Sequence, residues 1–269
     1  MLVADVMSKD VVTISPTDDL LMVADTLMRH KISGAFVLKR GRLLGTVSKE
    51  SFMLSLRYLG SKSVSELKVE DFLLAQKEYV SPDNPFSEVV VKMDSHPHRL
   101  DRLPVLKDGK LVGVVTKGDV ARIYSERMKG KFKVKDLMEY EPVIAYDFLP
   151  ISTLIDKLNL SRTKQAIYVQ GRRLMGVVTV LDLALVFFKH MREHPSEDPF
   201  KKILMEDVVS KNIVTASPNE DAAEAAKKMS EKRFGSLPVL EGGQVKGLIT
   251  TSSFINGFKY NMDVLNNFF

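Results

Sequence analysis

The chain has 269 residues, of which 45% are hydrophobic and 27% are charged, a balance typical of folded globular proteins rather than disordered ones. It contains no cysteine, which excludes disulfides, cysteine-ligated zinc, iron–sulfur clusters and thiol nucleophiles. The formal charge of +5 suits a phosphate-bearing ligand but does not require nucleic acid. No stretch approaches the roughly 18 apolar residues of a membrane span, and the N-terminus lacks a secretory leader, so we expect a cytoplasmic protein.

Four segments carry apolar residues at the spacing i, i+3, i+4, i+7, which predicts four amphipathic helices. Their first apolar residues are Leu20, Phe86, Ile151 and Ala222. A short extended segment precedes each helix. After each helix, two short apolar runs flank a polar, glycine-containing turn, which predicts a β-hairpin. Each hairpin ends in Gly-x-x-Ser or Gly-x-x-Thr and a second helix follows; the glycines are Gly45, Gly113, Gly176 and Gly247.

The unit of strand, helix, strand, strand and helix therefore occurs four times, over residues 1–57, 68–126, 133–189 and 203–260. One unit of about 60 residues has little core of its own, so we expect the repeats to pair into two modules. Polar or basic stretches at 60–63, 129–133 and 194–199 are the predicted linkers. The second repeat carries an insertion, which we place within 95–99.

Repeats 2 and 3 carry the motif Thr-x-x-Asp where the hairpin meets its second helix, as Thr116 with Asp119 and Thr179 with Asp182. The unpaired N–H groups at a helix start and a threonine hydroxyl favour an anion such as phosphate. An aspartate one turn later can accept hydrogen bonds from the two hydroxyls of a ribose. The motif therefore predicts a nucleotide site. The same pattern is also a helix capping box, and both roles can coexist.

Repeats 1 and 4 depart from this pattern, because Ser51 and Ser253 stand at the aspartate position. A serine has no charge, and losing a charge-assisted hydrogen bond costs about 1.5–3 kcal/mol. We therefore expect two occupied sites, one in each module, and two weak or empty ones. The alternative is that the two serines merely begin helices.

The repeat resembles the CBS domain. The matching features are the hairpin, the Gly-x-x-Ser/Thr strand end, the aspartate three residues later in repeats 2 and 3, and the Asp-Val-Met and Asp-Leu-Met segments at 5–7 and 136–138. The resemblance covers nearly the whole chain and is strongest to stand-alone four-CBS proteins, which include the γ regulatory subunit of AMP-activated kinase and its prokaryotic relatives. It implies an α/β fold of tandem β-α-β-β-α repeats, paired into two Bateman modules.

The same resemblance implies an adenosine ligand between paired repeats, with AMP, ADP, ATP and S-adenosylmethionine as candidate regulatory ligands and no catalytic cofactor. It also implies that the partner repeat lines each base pocket. For the Asp119 site these residues are Val12, Ser33, Gly34 and Ala35. For the Asp182 site they are Val214, Gly235, Ser236 and Leu237. Ordinary β-packing is the alternative explanation of these small residues.

Phosphate charge requires cations, and three basic residues stand near the motifs. Arg102 and Lys164 precede the second strands of repeats 2 and 3, near positions that contact phosphate in relatives, and Lys117 lies inside its motif. The alternative is that these side chains are solvated surface residues.

Catalytic functions have little support in the sequence. The glycines Gly242 and Gly247 have P-loop spacing, but the lysine and hydroxyl residue that a P-loop needs are missing. His190 and His194 stand four residues apart without a convincing third ligand, so we expect no metal site. Because four repeats occupy the chain, we expect a regulatory sensor rather than an enzyme.

Two non-catalytic alternatives remain at this stage. Residues 129–135 contain four lysines and one aromatic residue, Phe132, which favours a solvated linker over a base-stacking nucleic-acid surface. A scaffolding role is the other alternative, in which the tail 261–269 docks on a neighbouring protein or folds back. The sequence identifies neither a regulated partner protein nor a homodimer, and it predicts no membrane partner.

Overall fold

The computed structural model describes residues 1–56, 66–95, 100–161 and 163–261. The predicted linker at 60–63, residues 96–99 of the predicted insertion and the tail after residue 261 lie outside the described residues. Within the described ranges, no helix has both the length and the apolar character that a membrane crossing needs.

The predicted α/β fold class is confirmed, and the first long helix of each repeat begins at the predicted residue. The helices are α1 (Val3–Val6), α2 (Leu20–His30), α3 (Lys49–Leu56), α4 (Phe86–Ser95), α5 (Lys117–Arg127), α6 (Val134–Leu137), α7 (Ile151–Leu160), α8 (Val180–Glu193), α9 (Pro199–Lys202), α10 (Met205–Val208), α11 (Ala222–Lys232) and α12 (Thr251–Lys259). A short 3-10 helix spans Val69–Phe72.

The strands are β1 (Thr13–Ile14), β2 (Gly34–Lys39), β3 (Arg42–Ser48), β4 (Leu74–Ala75), β5 (Arg102–Lys107), β6 (Lys110–Thr116), β7 (Ile144–Tyr146), β8 (Gln165–Gln170), β9 (Arg173–Thr179), β10 (Ser236–Glu241) and β11 (Gln244–Thr250). They form four antiparallel hairpins, β2–β3, β5–β6, β8–β9 and β10–β11. A parallel strand or bridge flanks the first strand of each hairpin.

Each repeat opens with a short helix or 3-10 turn. We name this element, together with the residues directly before and after it, the lead-in, and it pairs with the other repeat of its tandem pair. Ser8, after α1, exchanges two backbone hydrogen bonds of 2.9 Å with Val114 of repeat 2. β4, at the start of repeat 2, pairs in turn with β3 of repeat 1. Repeats 3 and 4 exchange lead-ins in the same way, through Glu139 with Leu248 and Ser210 with Val177.

Two compact units result, and each contains two repeats that are not adjacent in sequence. The first unit comprises residues 1–11, 78–142 and 214–269, and the second comprises 12–77 and 143–213. In the first unit α5 of repeat 2 packs against α11 and α12 of repeat 4, and in the second α8 of repeat 3 packs against α2 and α3 of repeat 1. The sequence does not predict this grouping. The four repeat boundaries stay predictions, since the units cut across them.

Each unit has its own hydrophobic core, built from the apolar helix faces and the inward sides of the hairpins. In the first unit Tyr124 packs on Phe254 and Phe258, with ring centroids 4.9 and 5.3 Å apart. In the second unit Phe52 packs on Phe188 at 6.4 Å. These cores hold the helices that begin at the four strand-end motifs.

Candidate functional site

The motif of repeat 2 forms a helix capping box at the start of α5. The backbone N–H and the hydroxyl of Thr116 both donate to Asp119 Oδ2, at 2.8 and 2.7 Å. The Asp119 N–H donates back to Thr116 Oγ1 at 3.3 Å. Asp119 is half-buried. The capping role predicted as an alternative is therefore confirmed, whereas ligand binding by Asp119 stays a prediction.

The motif of repeat 3 repeats this geometry at the start of α8. Thr179 donates to Asp182 Oδ2 from its N–H at 3.1 Å and from its hydroxyl at 2.5 Å. The Asp182 N–H donates to Thr179 Oγ1 at 3.2 Å, and the aspartate is again half-buried. Two equivalent carboxylates thus stand at two helix starts, one in each compact unit.

In repeats 1 and 4 serine replaces aspartate in the cap and is buried. Ser51 Oγ accepts from the Ser48 N–H at 3.2 Å, and Ser253 Oγ accepts from the Thr250 N–H at 3.1 Å. Ser51 is 0% exposed and Ser253 is 3% exposed. A carboxylate at these positions would be desolvated without a compensating charge, which is costly. Both serines therefore cap helices, as the alternative interpretation predicted.

Lys117, the first residue of α5, is the most enclosed of the predicted phosphate-binding cations. Its side chain is buried, and Nζ lies 3.0 Å from Asp101 Oδ1 and 3.0 Å from Ser252 Oγ. Ser252 belongs to the motif of repeat 4, so this lysine joins the starts of α5 and α12 within the first unit. Asp101 stands in no recognisable pattern and Ser252 is a variable position of its motif, so the sequence did not predict either contact.

The two other predicted cations lie at the open ends of their hairpins. Arg102 is buried on β5, opposite Thr116 in the strand register. Lys164 is half-buried and immediately precedes β8, where its carbonyl accepts from the Val180 N–H at 3.0 Å. Both residues are therefore beside the motif of their own repeat.

The predicted base-pocket residues lie at the corresponding hairpin ends of repeats 1 and 4. Ser33 is half-buried, Gly34 and Ser236 are opposite Ser48 and Thr250 in the strand register, and Gly235 is exposed. The side chains of Ala35 and Leu237 belong to the hydrophobic cores, and Val12 and Val214 pack against those cores. The residues predicted for one pocket belong to different compact units, and their juxtaposition stays a prediction.

Two of the features considered for other functions, the Gly242–Gly243 turn and the segment 129–133, have structural roles. Gly242 and Gly243, at φ +57° and +76°, form the β10–β11 turn rather than a P-loop. The rings of His190 and His194 are 5.0 Å apart, and no group of three metal-binding side chains occurs in the part of the chain that the structure describes. The segment 129–133 is not a free linker, because Gly130 N–H donates to Asp221 Oδ2 at 2.7 Å.

The CBS domain family model matches residues 3–58, 69–126 and 205–259 of this chain. These segments cover more than half of the sequence, and the chain belongs to the CBS domain family. The family model therefore matches repeats 1, 2 and 4. Repeat 3, which lies between repeats 2 and 4, has the same order of helices and strands.

Two relatives come from Methanocaldococcus jannaschii. The chain is 23% identical over 273 residues to the protein MJ1404, covering 97% of this chain and 62% of that protein. It is 22% identical over 194 residues to MJ1225, covering 65% of this chain and 66% of that protein. The sequence alignments thus span less than two thirds of the length of these relatives.

Two solved structures share the fold over almost the whole chain. The crystal structure of MJ1225, described there as a proposed archaeal homologue of γ-AMPK, superposes with a TM-score of 0.82 at 16% identity, covering 96% of this chain and all of that one. A conserved protein from Pyrococcus horikoshii gives a TM-score of 0.60 at 20% identity, covering 96% and 99%. At these identities the likeness concerns the fold alone.

Proposed function

We propose that this CBS-domain protein is a cytoplasmic regulatory sensor that binds an adenosine nucleotide or S-adenosylmethionine at Asp119 and at Asp182, without catalysis. The observation that carries the proposal is the contrast among the four motifs. Two have a half-buried aspartate at a helix start, and two have a buried serine. Capping alone does not require a carboxylate, because a serine caps the corresponding helix in repeats 1 and 4.

The local chemistry fits a ribose and a phosphate. Among the described residues, every hydrogen bond of the Asp119 carboxylate goes to Oδ2, which leaves Oδ1 to accept from ribose hydroxyls. The positive end of α5 favours an anion, although the Lys117 and Asp119 N–H groups already donate to the Asp101 carbonyl and to Thr116 Oγ1. Arg102 and Lys117, whose Nζ pairs with Asp101, lie beside the same motif. A bound ligand could change the action of this protein on a partner only if the ligand binds two arrangements of the repeats with different affinities.

Calorimetric titration with AMP, ADP, ATP and S-adenosylmethionine tests the proposal on Asp119→Ser and Asp182→Ser. Serine is the sharpest substitution because it reproduces the cap of repeat 4 while removing the carboxylate. Each variant should keep the wild-type melting temperature and lose about ten- to a hundredfold in affinity at its own site. The double variant should bind adenosine ligands about ten- to a hundredfold more weakly at both sites.

Asp136→Ser is the matched control. Asp136 caps α6 through the Lys133 N–H at 2.7 Å but stands outside the motifs, so its substitution should leave every affinity unchanged. Absence of binding by any adenosine compound, or equal binding by all variants, would reduce Thr-x-x-Asp to a helix cap. Consumption of the nucleotide during the titration would contradict the non-catalytic role.

Nucleic-acid binding through residues 129–135 is not favoured by the structure. Lys135 Nζ donates to Asn219 Oδ1 at 3.0 Å, and Lys129 Nζ lies 3.7 Å from Glu224 Oε1, so part of this charge is already paired within the chain. An oligonucleotide titration at two salt concentrations would detect such binding through its steep salt dependence.

A further inference from the structure

The turn before the first long helix closes in the same way in all four repeats, but its side chains differ in repeat 3. The backbone N–H of the fourth turn residue donates to the carbonyl of the first, at 2.9–3.2 Å. In repeats 1, 2 and 4 the turn is Ser-Pro followed by two polar residues, at 15–18, 81–84 and 217–220. In repeat 3 it is Tyr146, Asp147, Phe148 and Leu149. Phe148 thus replaces a polar residue.

The lead-in of the paired repeat covers the turn in repeats 1, 2 and 4. In repeat 4, Val134 and Lys135 donate to the carbonyls of Glu220 and Pro218, each at 2.9 Å, and Ala222 donates to the carbonyl of Phe132 at 3.0 Å. Equivalent sets of three backbone hydrogen bonds cover the turns of repeats 1 and 2. Within the described ranges, no hydrogen bond joins α10, the lead-in of repeat 4, to the turn of repeat 3.

The uncovered turn presents aromatic surface to solvent. The rings of Tyr146 and Phe148 are stacked at an interplanar angle of 6°, with centroids 5.4 Å apart. Phe148 is 84% exposed, and Leu204, beside α10, is 56% exposed. The lead-in itself is still anchored, because Ile203 and Met205 are buried. An apolar surface of this kind costs free energy in a free protein and is characteristic of binding surfaces.

The surface is negatively charged at its edge. The Tyr168 hydroxyl donates to Asp147 Oδ1 at 2.7 Å. Burial, this hydrogen bond and the charges of Asp147 and Glu206 raise the pKa of Tyr168. Asp147 and Glu206 are exposed, and their charges disfavour a nucleic acid or an anionic membrane as the occupant.

We propose that Tyr146, Phe148 and Leu204 form a docking surface for an extended, arginine-bearing segment of a partner protein. A guanidinium can stack on the exposed aromatic face and pair with Asp147 and Glu206. The backbone of this segment would form hydrogen bonds with the turn of repeat 3, as the lead-ins do with the turns of the other repeats. This proposal does not depend on nucleotide binding.

Fluorescence anisotropy with a labelled peptide of sequence Ala-Arg-Phe-Arg-Ala, added to the full chain, tests the proposal. The wild type should bind it saturably, and Phe148→Asn should bind at least about tenfold more weakly. Asparagine occupies the same turn position in repeat 4, at Asn219, so this variant should fold normally. Leu160→Ala, at another residue that is 84% exposed, is the matched control and should bind like the wild type.

Three outcomes would overturn the proposal. The first is no saturable binding by the wild type, and the second is equal binding by Phe148→Asn. The third is equal binding of a peptide in which glutamate replaces both arginines. Sedimentation velocity adds a further test, because a wild-type dimer that Phe148→Asn abolishes would assign the surface to a second copy of the chain instead.

Discussion

Gly247 lies directly against the backbone of Glu139: a Cβ at Gly247 would be 2.5 Å from the Glu139 carbonyl oxygen. The other three motif glycines face the lead-in of their paired repeat in the same way; at Gly176, a Cβ would be 2.5 Å from the Ser210 carbonyl oxygen. The glycine that recurs in all four repeats is therefore explained by the exchange of lead-ins. Any larger residue would separate the lead-in from the hairpin.

Gly247→Ala should destabilise the protein by about 1–3 kcal/mol, because the added methyl group overlaps the carbonyl oxygen of Glu139, a residue that two backbone hydrogen bonds hold against Leu248. Urea denaturation measures the change. Gly118→Ala is the control: its Cβ would meet only Thr116 Oγ1, at 3.3 Å, and alanine favours a helix. Equal stability of Gly247→Ala and the wild type would show that the lead-in can move away at no cost.

Lys117→Met should weaken ATP binding at the Asp119 site by about tenfold or more and affect S-adenosylmethionine less, because only ATP brings phosphate charge to the lysine. Asp101→Asn is the informative counterpart, since it removes the carboxylate that competes with phosphate for Nζ. It should leave ATP affinity unchanged or increase it. Calorimetric titration of both variants with ATP and with S-adenosylmethionine measures these affinities. An equal loss of affinity for the two ligands in Lys117→Met would show that Lys117 has only a structural role.

Tyr124→Phe should stabilise the protein by about 1 kcal/mol. The Tyr124 hydroxyl is fully buried and has no hydrogen-bond partner among the described residues, so its removal relieves a desolvation cost. Burial, together with the charges of Asp221 and Asp136, also raises the pKa of Tyr124. The unfolded chain therefore loses this proton first, and the wild type should lose stability as the pH rises above about 10.

Thermal denaturation of Tyr124→Phe at pH 7 and at pH 10.5 tests both parts of this prediction. The variant should melt higher at both values, with the larger difference at the higher pH. A lower melting temperature at pH 7 would show that the hydroxyl makes a hydrogen bond that stabilises the fold.

Local patterns in the sequence predicted the elements of each repeat well. The i, i+3, i+4, i+7 spacing placed the starts of α2 and α11 at Leu20 and Ala222, where the structure has them. The polar turns placed the hairpins, because a turn with positive φ needs residues such as Gly41 and Gly109. These features depend on contacts between residues close in sequence, which periodicity and turn chemistry report directly.

Contacts between distant parts of the chain could not be predicted in the same way. An apolar helix face shows that α5 is covered but not that α11 and α12 cover it. The motif glycines were visible, but the carbonyl that each one accommodates comes from another repeat. Asp101 looked like an ordinary surface residue, and only the fold places it beside Lys117. The predicted capping boxes needed no such knowledge, since they join residues three apart.

The repeats are tied together by two kinds of contact, and every repeat takes part in both. Lead-in hydrogen bonds tie repeat 1 to 2 and repeat 3 to 4, whereas helix packing ties 1 to 3 and 2 to 4. Removing any one repeat therefore breaks both kinds of contact at once. In a solenoid, by contrast, terminal repeats can be lost singly. Loss of one repeat should therefore destabilise both the repeat that shares its unit and the repeat with which it exchanges lead-ins.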